Sequence, residues 1–261
     1  MPRRDLSGKR AILTGASSGI GRALALELAR RGVKQTLIAR NAERLHLTAD
    51  GVRELGSEVQ PFVGDVTDPH VRATALERAQ QKFGGVDLLI NNAGVSAYGR
   101  FAEASPERLR QIMEVNFFAA AEFTREATPL LRTGNDPAVV NIGSILGCRG
   151  LPRGAEYSAS KFALHGLSES IRPELTKLGV ELLLVAPGST DTDFKANVLE
   201  KNNAPPWADT AGVPAEQVAR QIAYALERRR QFMIPNRKGW WLVTLNRFAP
   251  WLVDRALRRF G

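Results

Sequence analysis

Cysteine and histidine are scarce in this chain, and their scarcity narrows the chemistry that it can support. The one cysteine, Cys148, cannot form an internal disulfide, which is typical of a protein that folds in a reducing compartment. The three histidines, His46, His70 and His165, stand apart from any cluster of cysteine or carboxylate residues. The sequence therefore predicts no metal site.

Long apolar runs are also missing. No stretch approaches the roughly 18 to 20 apolar residues that a membrane-spanning helix needs, and the opening MPRRDLSGKR has no apolar core like that of a secretory signal peptide. With 261 residues, 44% of them hydrophobic and 24% charged, the chain is long enough for one well-buried domain. We expect a cytoplasmic protein that is soluble or that binds a membrane only at its surface.

Acidic residues are nearly absent from the end of the chain. From Arg228 onward, nine arginines and lysines accompany a single acid, Asp254, so this segment carries +8 of the formal net charge of +9. A basic patch is the electrostatic footprint of a nucleic acid or an anionic membrane. Because the charge is confined to one end of a nearly neutral body and no nucleic-acid-binding motif accompanies it, we expect no nucleic-acid partner.

The same segment is rich in aromatic residues. RKGWWLVTLNRFAPWLVDRALRRFG contains three of the four tryptophans. Trp241, Leu245, Phe248 and Leu252 recur at near-helical spacing among arginines, and we expect Pro250 to break the helix. Two interpretations remain open. Either the apolar face packs on its own domain or on a partner subunit and helps to close the substrate cleft, or it enters an anionic membrane surface.

Apolar segments that suit buried parallel strands alternate with helical patterns. The predicted strands are 10–15, 35–39, 58–63, 86–91, 138–143, 180–186 and 231–235. The predicted helices are 19–31, 42–55, 68–83, 106–131, 155–178 and 214–228. This alternation indicates a single doubly wound α/β domain of the Rossmann type, with about seven parallel strands and helices on both faces. We assign 1–235 to this domain and 236–261 to a basic, aromatic helical extension of it.

Three glycines follow the first predicted strand, in the segment TGASSGIG. Gly15, Gly19 and Gly21 lie in the turn into the first helix, where backbone N–H groups attract a phosphate and a Cβ atom would obstruct its approach. A dinucleotide is the natural ligand. The spacing Gly-x3-Gly-x-Gly departs from Gly-x-Gly-x-x-Gly, and no Gly-Lys-Ser/Thr follows, which disfavours a nucleotide triphosphatase loop. A tight glycine turn without a ligand is the alternative.

Further motifs follow in order along the chain. They are NNAG at Asn91–Gly94, Asn116 in MEVNFF, NIGS at Asn141–Ser144, YSASK at Tyr157–Lys161, and Pro187–Gly188. Together with TGASSGIG, these segments resemble the short-chain dehydrogenase/reductase family in their order and spacing. The resemblance covers residues 8 to about 192 strongly and 213–235 weakly. It implies that 1–235 is a dinucleotide-binding and catalytic domain.

The resemblance implies an oxidoreductase that transfers hydride between a nicotinamide and a ketone, aldehyde or secondary alcohol. Tyr157 would donate the proton, and the positive charge of Lys161, one helical turn away, should lower the pKa of its phenol. By resemblance, Lys161 also holds the nicotinamide ribose, Ser144 polarises the substrate oxygen, and Asn116 supports a water relay to Lys161. A catalytically silent cofactor-binding sensor or scaffold is the alternative.

The end of the second predicted strand, TLIARN, indicates which nicotinamide cofactor is used. A carboxylate there would bind the ribose 2′-hydroxyl of NAD, whereas an arginine accommodates the 2′-phosphate of NADP. Ala39 and Arg40 occupy this point, so we expect NADP(H) rather than NAD(H).

The resemblance assigns the site residue by residue. The expected catalytic residues are Asn116, Ser144, Tyr157 and Lys161. The expected cofactor-binding residues are Gly15, Ser17, Ser18, Gly19, Ile20, Gly21, Arg40, Asp65, Val66, Asn92, Ala93, Gly94, Tyr157, Lys161, Pro187, Gly188, Thr190 and Thr192. Asp65 and Val66 should meet the adenine. Thr190 and Thr192 should meet the nicotinamide carboxamide, although Thr190 replaces the more usual aliphatic residue.

The substrate has no recognisable motif. The irregular segments 145–156 and 193–212 should form the walls of its site. Arg149 and Arg153 would suit an anionic substrate, although solvated loop arginines are the more common case. Related proteins pack the helix that contains Pro173 across a subunit interface, so we expect a homodimer or homotetramer and a small carbonyl or alcohol as the other partner.

Overall fold

The computed structural model describes residues 2–192, 194, 198–201 and 212–260. Its strands are, in chain order, β1 (Arg10–Thr14), β2 (Lys34–Ala39), β3 (Val59–Val63), β4 (Leu88–Asn91), β5 (Ser96–Tyr98), β6 (Ala138–Ile142), β7 (Glu181–Val185), β8 (Thr190–Asp191), β9 (Val198–Lys201), β10 (Val213–Pro214) and β11 (Phe232–Met233). Seven of them form one parallel sheet in the order β11-β7-β6-β4-β1-β2-β3. The order changes direction between β1 and β4, and such a switch point opens a crevice at the carboxyl ends of the strands.

Helices cover both faces of this sheet. They are α1 (Gly19–Ala29), α2 (Ala42–Glu54), α3 (Pro69–Phe83), α4 (Pro106–Met113), α5 (Ala119–Arg132), α6 (Ala155–Lys177), α7 (Ala215–Glu227), α8 (Arg237–Phe248) and α9 (Pro250–Leu257). Successive residues of a strand point to opposite faces. Ile12 of β1 belongs to the core beneath α3 and α5, whereas Leu13 belongs to the core beneath α1 and α7, and both are fully buried. The expected doubly wound α/β fold is confirmed.

Capping residues fix where several of these helices begin. The Asp68 side chain accepts a hydrogen bond from the His70 N–H at the start of α3, and Ser105 accepts one from Arg108 at the start of α4. Each cap is followed by a proline, whose missing N–H needs no partner at a first helical position. These local signals explain why the predicted and observed starts agree closely.

One predicted helix is divided in the structure. The segment 106–131 forms α4 and α5, which are separated by a π-helical turn at Glu114–Phe118. This wider turn contains Asn116, whose side chain accepts a hydrogen bond from the Val95 N–H and donates one to the Val95 carbonyl, at 2.8 and 2.9 Å. Local helical preference could not predict this π-helical turn, because Val95, which Asn116 contacts, lies in another segment of the chain.

The last strand of the sheet is shorter than predicted. The expected strand 231–235 is reduced to Phe232–Met233, which pairs only with β7 at the sheet edge. Outside the main sheet, β5 pairs with β9 and β8 pairs with β10. These pairs of two to four residues carry no periodic signal, since they lie within irregular segments.

The chain ends in two helices, α8 and α9. The first ends at Phe248 and Pro250 begins the second, so the expected break at this proline is observed. Across the described parts of the chain, no helix combines the length and the apolar character that crossing a membrane requires.

Candidate active site

A cavity of about 1290 Å³ lies along the carboxyl ends of the parallel strands. Residues that follow six of the strands line it: Gly15 after β1, Arg40 after β2, Asp65 after β3, Asn92 after β4, Ser144 after β6 and Pro187 after β7. All the predicted cofactor-binding residues line this one cavity, as do three of the four predicted catalytic residues. The exception is Asn116.

The glycine loop packs tightly against the segment that follows β4. Gly15 has a φ of +65°, and a Cβ atom there would lie 2.8 Å from the Asn92 Nδ2 atom and 2.9 Å from the Ala93 Cα atom. A Cβ atom on Gly21 would lie 2.1 Å from the Gly15 carbonyl oxygen. The reason expected for these two glycines, room for a phosphate, is therefore incomplete. Contacts within the turn and with the adjacent NNAG segment already leave no room for a side chain at Gly15 or Gly21.

The first turn of α1 is suited to an anion. Its N-cap residue, Ser18, makes no side-chain capping hydrogen bond, and no acidic residue lies in the first turn. Ile20 and Gly21 of this turn line the cavity. Unpartnered N–H groups at the positive end of a helix bind phosphate groups, so this turn fits the diphosphate of a dinucleotide.

Two arginines line the cavity at the end of β2. The Arg40 side chain is 63% exposed, and its Nη1 atom lies 3.6 Å from the Asp65 Oδ2 atom. Arg44, in the first turn of α2, lines the cavity as well, and sequence reasoning missed it. Its place at the start of the helix that directly follows β2 was the available signal. Ala39, the last residue of β2, supplies no carboxylate for a ribose hydroxyl, so this end fits a phosphate group.

Ser144, Tyr157 and Lys161 meet at the opposite end. The Ser144 hydroxyl accepts a hydrogen bond from the Leu146 N–H at 3.1 Å and donates one to the Pro187 carbonyl at 3.4 Å. Tyr157 and Lys161 lie one turn apart on α6, and the Lys161 Nζ atom is 5.7 Å from the Tyr157 ring centroid. Lys161 is buried and donates a hydrogen bond to the Ile142 carbonyl at 2.9 Å.

Burial dominates the ionisation of these groups. It raises the pKa of the Tyr157 phenol, and a hydrogen bond with Ser144 opposes this rise only in part. Burial also lowers the pKa of the Lys161 ammonium from 10.5 to about 8. The Tyr157 pKa is therefore raised, where the sequence led us to expect a lowered one, because desolvation of the phenolate is the largest influence on it. Tyr157 is a protonated phenol at neutral pH.

Asn116 does not reach the cavity. Besides its two bonds to Val95, its side chain donates to the Ser160 Oγ atom at 2.9 Å, and the residue is buried. It lies behind Gly94, where a Cβ atom would come within 3.2 Å of the Asn116 Oδ1 atom and 3.7 Å of the Lys161 Nζ atom. The side chain thus joins Val95, directly after the NNAG segment, to Ser160 of α6, and the expected role of Asn116 in a water relay stays a prediction.

His165 lies beneath this end of the cavity, between two glycines. A Cβ atom on Gly143 would lie 2.5 Å from its Nε2 atom, and one on Gly147 would lie 2.7 Å from its ring. The His165 Nδ1 atom is 3.6 Å from the Cys148 Sγ atom. Burial, aided by the charge of Lys161, lowers the pKa of His165 to about 4. Among the described residues, no three histidine, cysteine or carboxylate side chains form a group that could hold a metal ion.

A buried arginine supports the start of α6. Arg108 donates hydrogen bonds to the Glu156 Oε1 atom at 3.1 and 2.5 Å and to the Glu200 Oε2 atom at 2.9 Å. The side chains of Arg108 and Glu156 are each 2% exposed. Glu156 directly precedes Tyr157, and Glu200 belongs to β9. The arginine thus joins the catalytic helix to a strand beside the cavity.

The predicted walls are present in part. Within 145–156, Ile145, Leu146, Leu151 and Gly154 line the cavity. Within 193–212, Phe194 and Gly212 do so, and residues 193, 195–197 and 202–211 lie outside the described residues. Arg149 and Arg153 are not among the residues that line the cavity. Arg149 instead pairs with Asp254 at 2.5 Å and donates to the Asn246 Oδ1 atom at 3.1 Å.

The C-terminal extension forms a further wall, as one of the two interpretations of this segment predicted, although the sequence did not indicate which of its residues would do so. Asn236, Arg237, Lys238, Gly239 and Leu242 line the cavity at the start of α8. The Asn236 side chain caps this helix by accepting a hydrogen bond from the Gly239 N–H at 3.1 Å. A Cβ atom on Gly188 would come within 2.2 Å of the Asn236 Nδ2 atom, so the extension packs tightly on the loop after β7. The capping asparagine was visible in the sequence, but its partner loop was not.

Comparison with known proteins gives a consistent result. The profile of the family described as short chain dehydrogenase matches residues 9–203. A ketoacyl reductase of Nostoc, HetN, is 30% identical over 262 residues, which covers 98% of this chain and 90% of that protein. A crystal structure of a short-chain dehydrogenase/reductase from Burkholderia phymatum in complex with NAD aligns with a TM-score of 0.86 at 26% identity, covering 95% of this chain and 96% of that one.

A further crystal structure, of a short-chain dehydrogenase from Burkholderia cenocepacia in complex with NADP, aligns with a TM-score of 0.78 at 30% identity and covers 88% of this chain and 97% of that one. Fold, cavity and sequence similarity agree. The chain belongs to the short-chain dehydrogenase/reductase family and is an NAD(P)-dependent oxidoreductase.

Proposed function

We propose that this enzyme uses NADP(H) to interconvert a ketone or aldehyde and the matching alcohol, and that the carbonyl compound has an apolar, lipid-like body. The observation that carries the proposal is one cavity with Ser144, Tyr157 and Lys161 at one end and two arginines, Arg40 and Arg44, at the other. A catalytically silent sensor or scaffold would not need Ser144, Tyr157 and Lys161 together.

The chemistry follows from the state of Tyr157. When bound, the nicotinamide supplies or accepts the hydride. The Tyr157 phenol, protonated at neutral pH, donates its proton to the carbonyl oxygen, and the Ser144 hydroxyl donates a hydrogen bond to that same oxygen. Lys161, with a pKa of about 8, supplies positive charge that stabilises the phenolate left behind. A protonated phenol is the form that donates the proton in the reduction, and the phenolate is the form that accepts it in the oxidation.

The preference for NADP(H) rests on the residues around the end of β2. Arg40 and Arg44 would hold a 2′-phosphate through charge-assisted hydrogen bonds, and the first turn of α1 would hold the diphosphate. Asp65 already lies near Arg40, so it would orient that guanidinium. An NAD-specific site would instead place a carboxylate where Ala39 lies.

The apolar character of the substrate rests on the other walls. Leu146, Leu151, Phe194 and Leu242 line the cavity, and the Phe194 and Tyr157 rings lie 6.0 Å apart between centroids. Apolar side chains around a few polar groups are typical of a small-molecule site. The ketoacyl reductase of Nostoc acts, by its name, on a compound of this class.

The proposal of a homodimer or homotetramer rests on exposed apolar residues. Phe118 and Phe162 are each 45% exposed, and they lie in the π-helical turn before α5 and in α6. Exposed aromatic groups on neighbouring helices are typical of a subunit interface. Analytical ultracentrifugation of the wild type and of Phe162→Ser measures the oligomeric state.

The decisive experiment is a panel of ketones, aldehydes and secondary alcohols, including ketoacyl thioesters and long-chain compounds, followed at the nicotinamide absorbance. We expect turnover with NADPH and an apolar carbonyl compound, and a lower kcat/KM with NADH. Tight NADPH binding without turnover on any carbonyl compound would favour the silent sensor. Preference for NADH would contradict the assignment of Arg40 and Arg44.

A further inference from the structure

The outer side of α8 is apolar although it faces away from the protein. Trp241, Leu245 and Phe248 are 62%, 45% and 74% exposed. They are spaced by four and three residues, so they lie on one side of the helix. Trp251 and Leu252, at the start of α9, are 63% and 48% exposed. Five large apolar side chains are thus exposed on these two helices. Such a group, unlike single exposed apolar residues, is typical of an interaction surface.

Cations share this surface. Arg237 and Lys238 precede Trp241 by four and three residues, which places them on the same side of α8, and both are exposed. Arg247 and Arg255 are exposed on the same two helices, and Arg258 is exposed directly after α9. We call these five cations, with the five apolar residues Trp241, Leu245, Phe248, Trp251 and Leu252, the tail face. No carboxylate of the described residues forms an ion pair with any of the five cations.

The inner side of the same helices is fixed to the body of the enzyme. Gly239 and Leu242 line the cavity, and Asn246 accepts a hydrogen bond from Arg149. Val253 of α9 is buried, and the neighbouring acid, Asp254, is paired with Arg149. These contacts hold the tail face outward, so its apolar groups have no route to burial against their own domain.

We propose that the tail face docks on an anionic lipid surface. Tryptophan and phenylalanine side chains stabilise a helix that lies in the boundary between lipid headgroups and acyl chains, and arginine and lysine bind the anionic headgroups. A ligand for this surface must be apolar and negatively charged at once. A membrane that contains phosphatidylserine or phosphatidylglycerol has both properties.

A second copy of the chain fits this surface less well. In a two-fold contact the same surface meets itself, so the five cations of one protomer would face the five cations of its partner. The one acid of these helices, Asp254, is already paired with Arg149 and cannot offset that repulsion. The charge therefore selects the lipid surface over self-association.

The position of the cavity gives the proposal a functional meaning. Arg237 and Lys238 belong to the tail face and also line the cavity. Docking would therefore bring the cavity mouth to the membrane. The docking itself depends on neither the cofactor nor the reaction, so it can be tested apart from the proposed function.

The test is sedimentation of the full chain with vesicles of phosphatidylcholine and phosphatidylserine, at low and at high salt, with phosphatidylcholine vesicles as the uncharged comparison. We expect the wild type to sediment with the anionic vesicles at low salt, with a blue shift of its tryptophan fluorescence. Arg247→Glu/Arg255→Glu/Arg258→Glu should weaken this binding roughly 100-fold or more, at about 1 kcal/mol per basic residue. Trp241→Ser/Phe248→Ser should weaken it about tenfold or more.

Matched controls carry the same changes elsewhere. Arg30, Arg53 and Arg125 are exposed arginines outside the tail, and their replacement by glutamate changes the net charge equally. Leu47 and Phe101 are 61% and 68% exposed, and the double change to serine removes a similar apolar surface. Both controls should bind vesicles far better than the tail variants. NADPH affinity and thermal unfolding show whether each variant is folded.

Three outcomes would overturn the proposal. One is the absence of wild-type binding at low salt. Another is an equal loss of binding in the control and tail variants, which would show that net charge alone is responsible. The third is an oligomer that dissociates in Trp241→Ser/Phe248→Ser, with vesicle binding unchanged, which would assign the tail face to a second copy.

Discussion

At the nucleotide end of the cavity the surface is formed largely by backbone atoms, whereas at the carbonyl end it is formed largely by side chains. The first end consists of a glycine turn, the uncapped start of α1 and two arginines. The second combines three reactive side chains, from α6 and from the segment that follows β6, with apolar walls from distant segments, including α8. Changes at the first end should therefore alter cofactor affinity, and changes at the second should alter turnover or the stability of the fold around it.

The largest effect is expected for Tyr157→Phe. Loss of the proton donor should lower kcat by about 100- to 10,000-fold, or roughly 3–5 kcal/mol in activation free energy, because this is the usual contribution of general acid catalysis. Stopped-flow or steady-state assays with NADPH measure kcat, and fluorescence titration should give an NADPH Kd close to that of the wild type.

Tyr98→Phe is the matched control for this change. Tyr98 lines the same cavity, but its hydroxyl has no assigned role in proton transfer. Its variant should keep kcat within about tenfold of the wild type. Equal losses in the two variants would show that the proton donor has been misassigned.

Arg108→Met should destabilise the carbonyl end by about 3–5 kcal/mol, because it leaves the Glu156 carboxylate buried without its partner. Chemical denaturation measures the free energy of unfolding. In the double variant Arg108→Met/Glu156→Gln the unpaired charge is gone, so we expect part of the loss to be recovered. Strictly additive losses would mean that the two side chains are not coupled.

His165 should make stability depend on pH. Its pKa in the folded protein is about 4, below the ordinary 6.5, so between these values the unfolded chain binds a proton that the folded chain does not. The free energy of unfolding should therefore fall as the pH falls from 6.5 towards 4, by about 2 kcal/mol at pH 5. Denaturation of His165→Gln and of the wild type at pH 7 and 5 isolates this contribution. If the two proteins lose equal stability on acidification, the histidine is not the cause.

An effect of similar size, but on cofactor affinity, is expected for Arg40→Asp. Loss of one charge-assisted contact, with repulsion from the new carboxylate, should weaken NADPH binding by about 1–3 kcal/mol and relatively favour NADH. Cofactor titrations of the wild type, the variant and Arg53→Asp measure this. Arg53 is an exposed arginine of α2 that does not line the cavity, so its variant should bind both cofactors like the wild type. An unchanged ratio of NADPH to NADH affinity in Arg40→Asp would remove the basis for NADP(H).

The nucleotide end was the easier one to predict, since its determinants are contiguous. The glycine turn lies within eight residues, and Arg40 directly follows a clear apolar strand. The carbonyl end depends on contacts that are distant in the chain. Asn236 meets Gly188, and Asn116 meets Val95. No local pattern encodes such pairs, and the direction of the Tyr157 pKa depends on burial that only the folded chain creates.

The charges around the cavity bear on how quickly an anionic cofactor arrives. Among the described residues that line it, Arg40, Arg44, Lys161, Arg237 and Lys238 are cations and Asp65 is the one carboxylate. A cleft lined by one sign of charge between low-dielectric walls concentrates field lines and accelerates the encounter with an oppositely charged ligand. The nearly neutral remainder of the protein exerts little electrostatic force on a phosphorylated dinucleotide, whereas the positive charge at the cavity mouth attracts it from a distance. The association rate of NADPH should therefore fall with rising ionic strength more steeply than its dissociation rate changes.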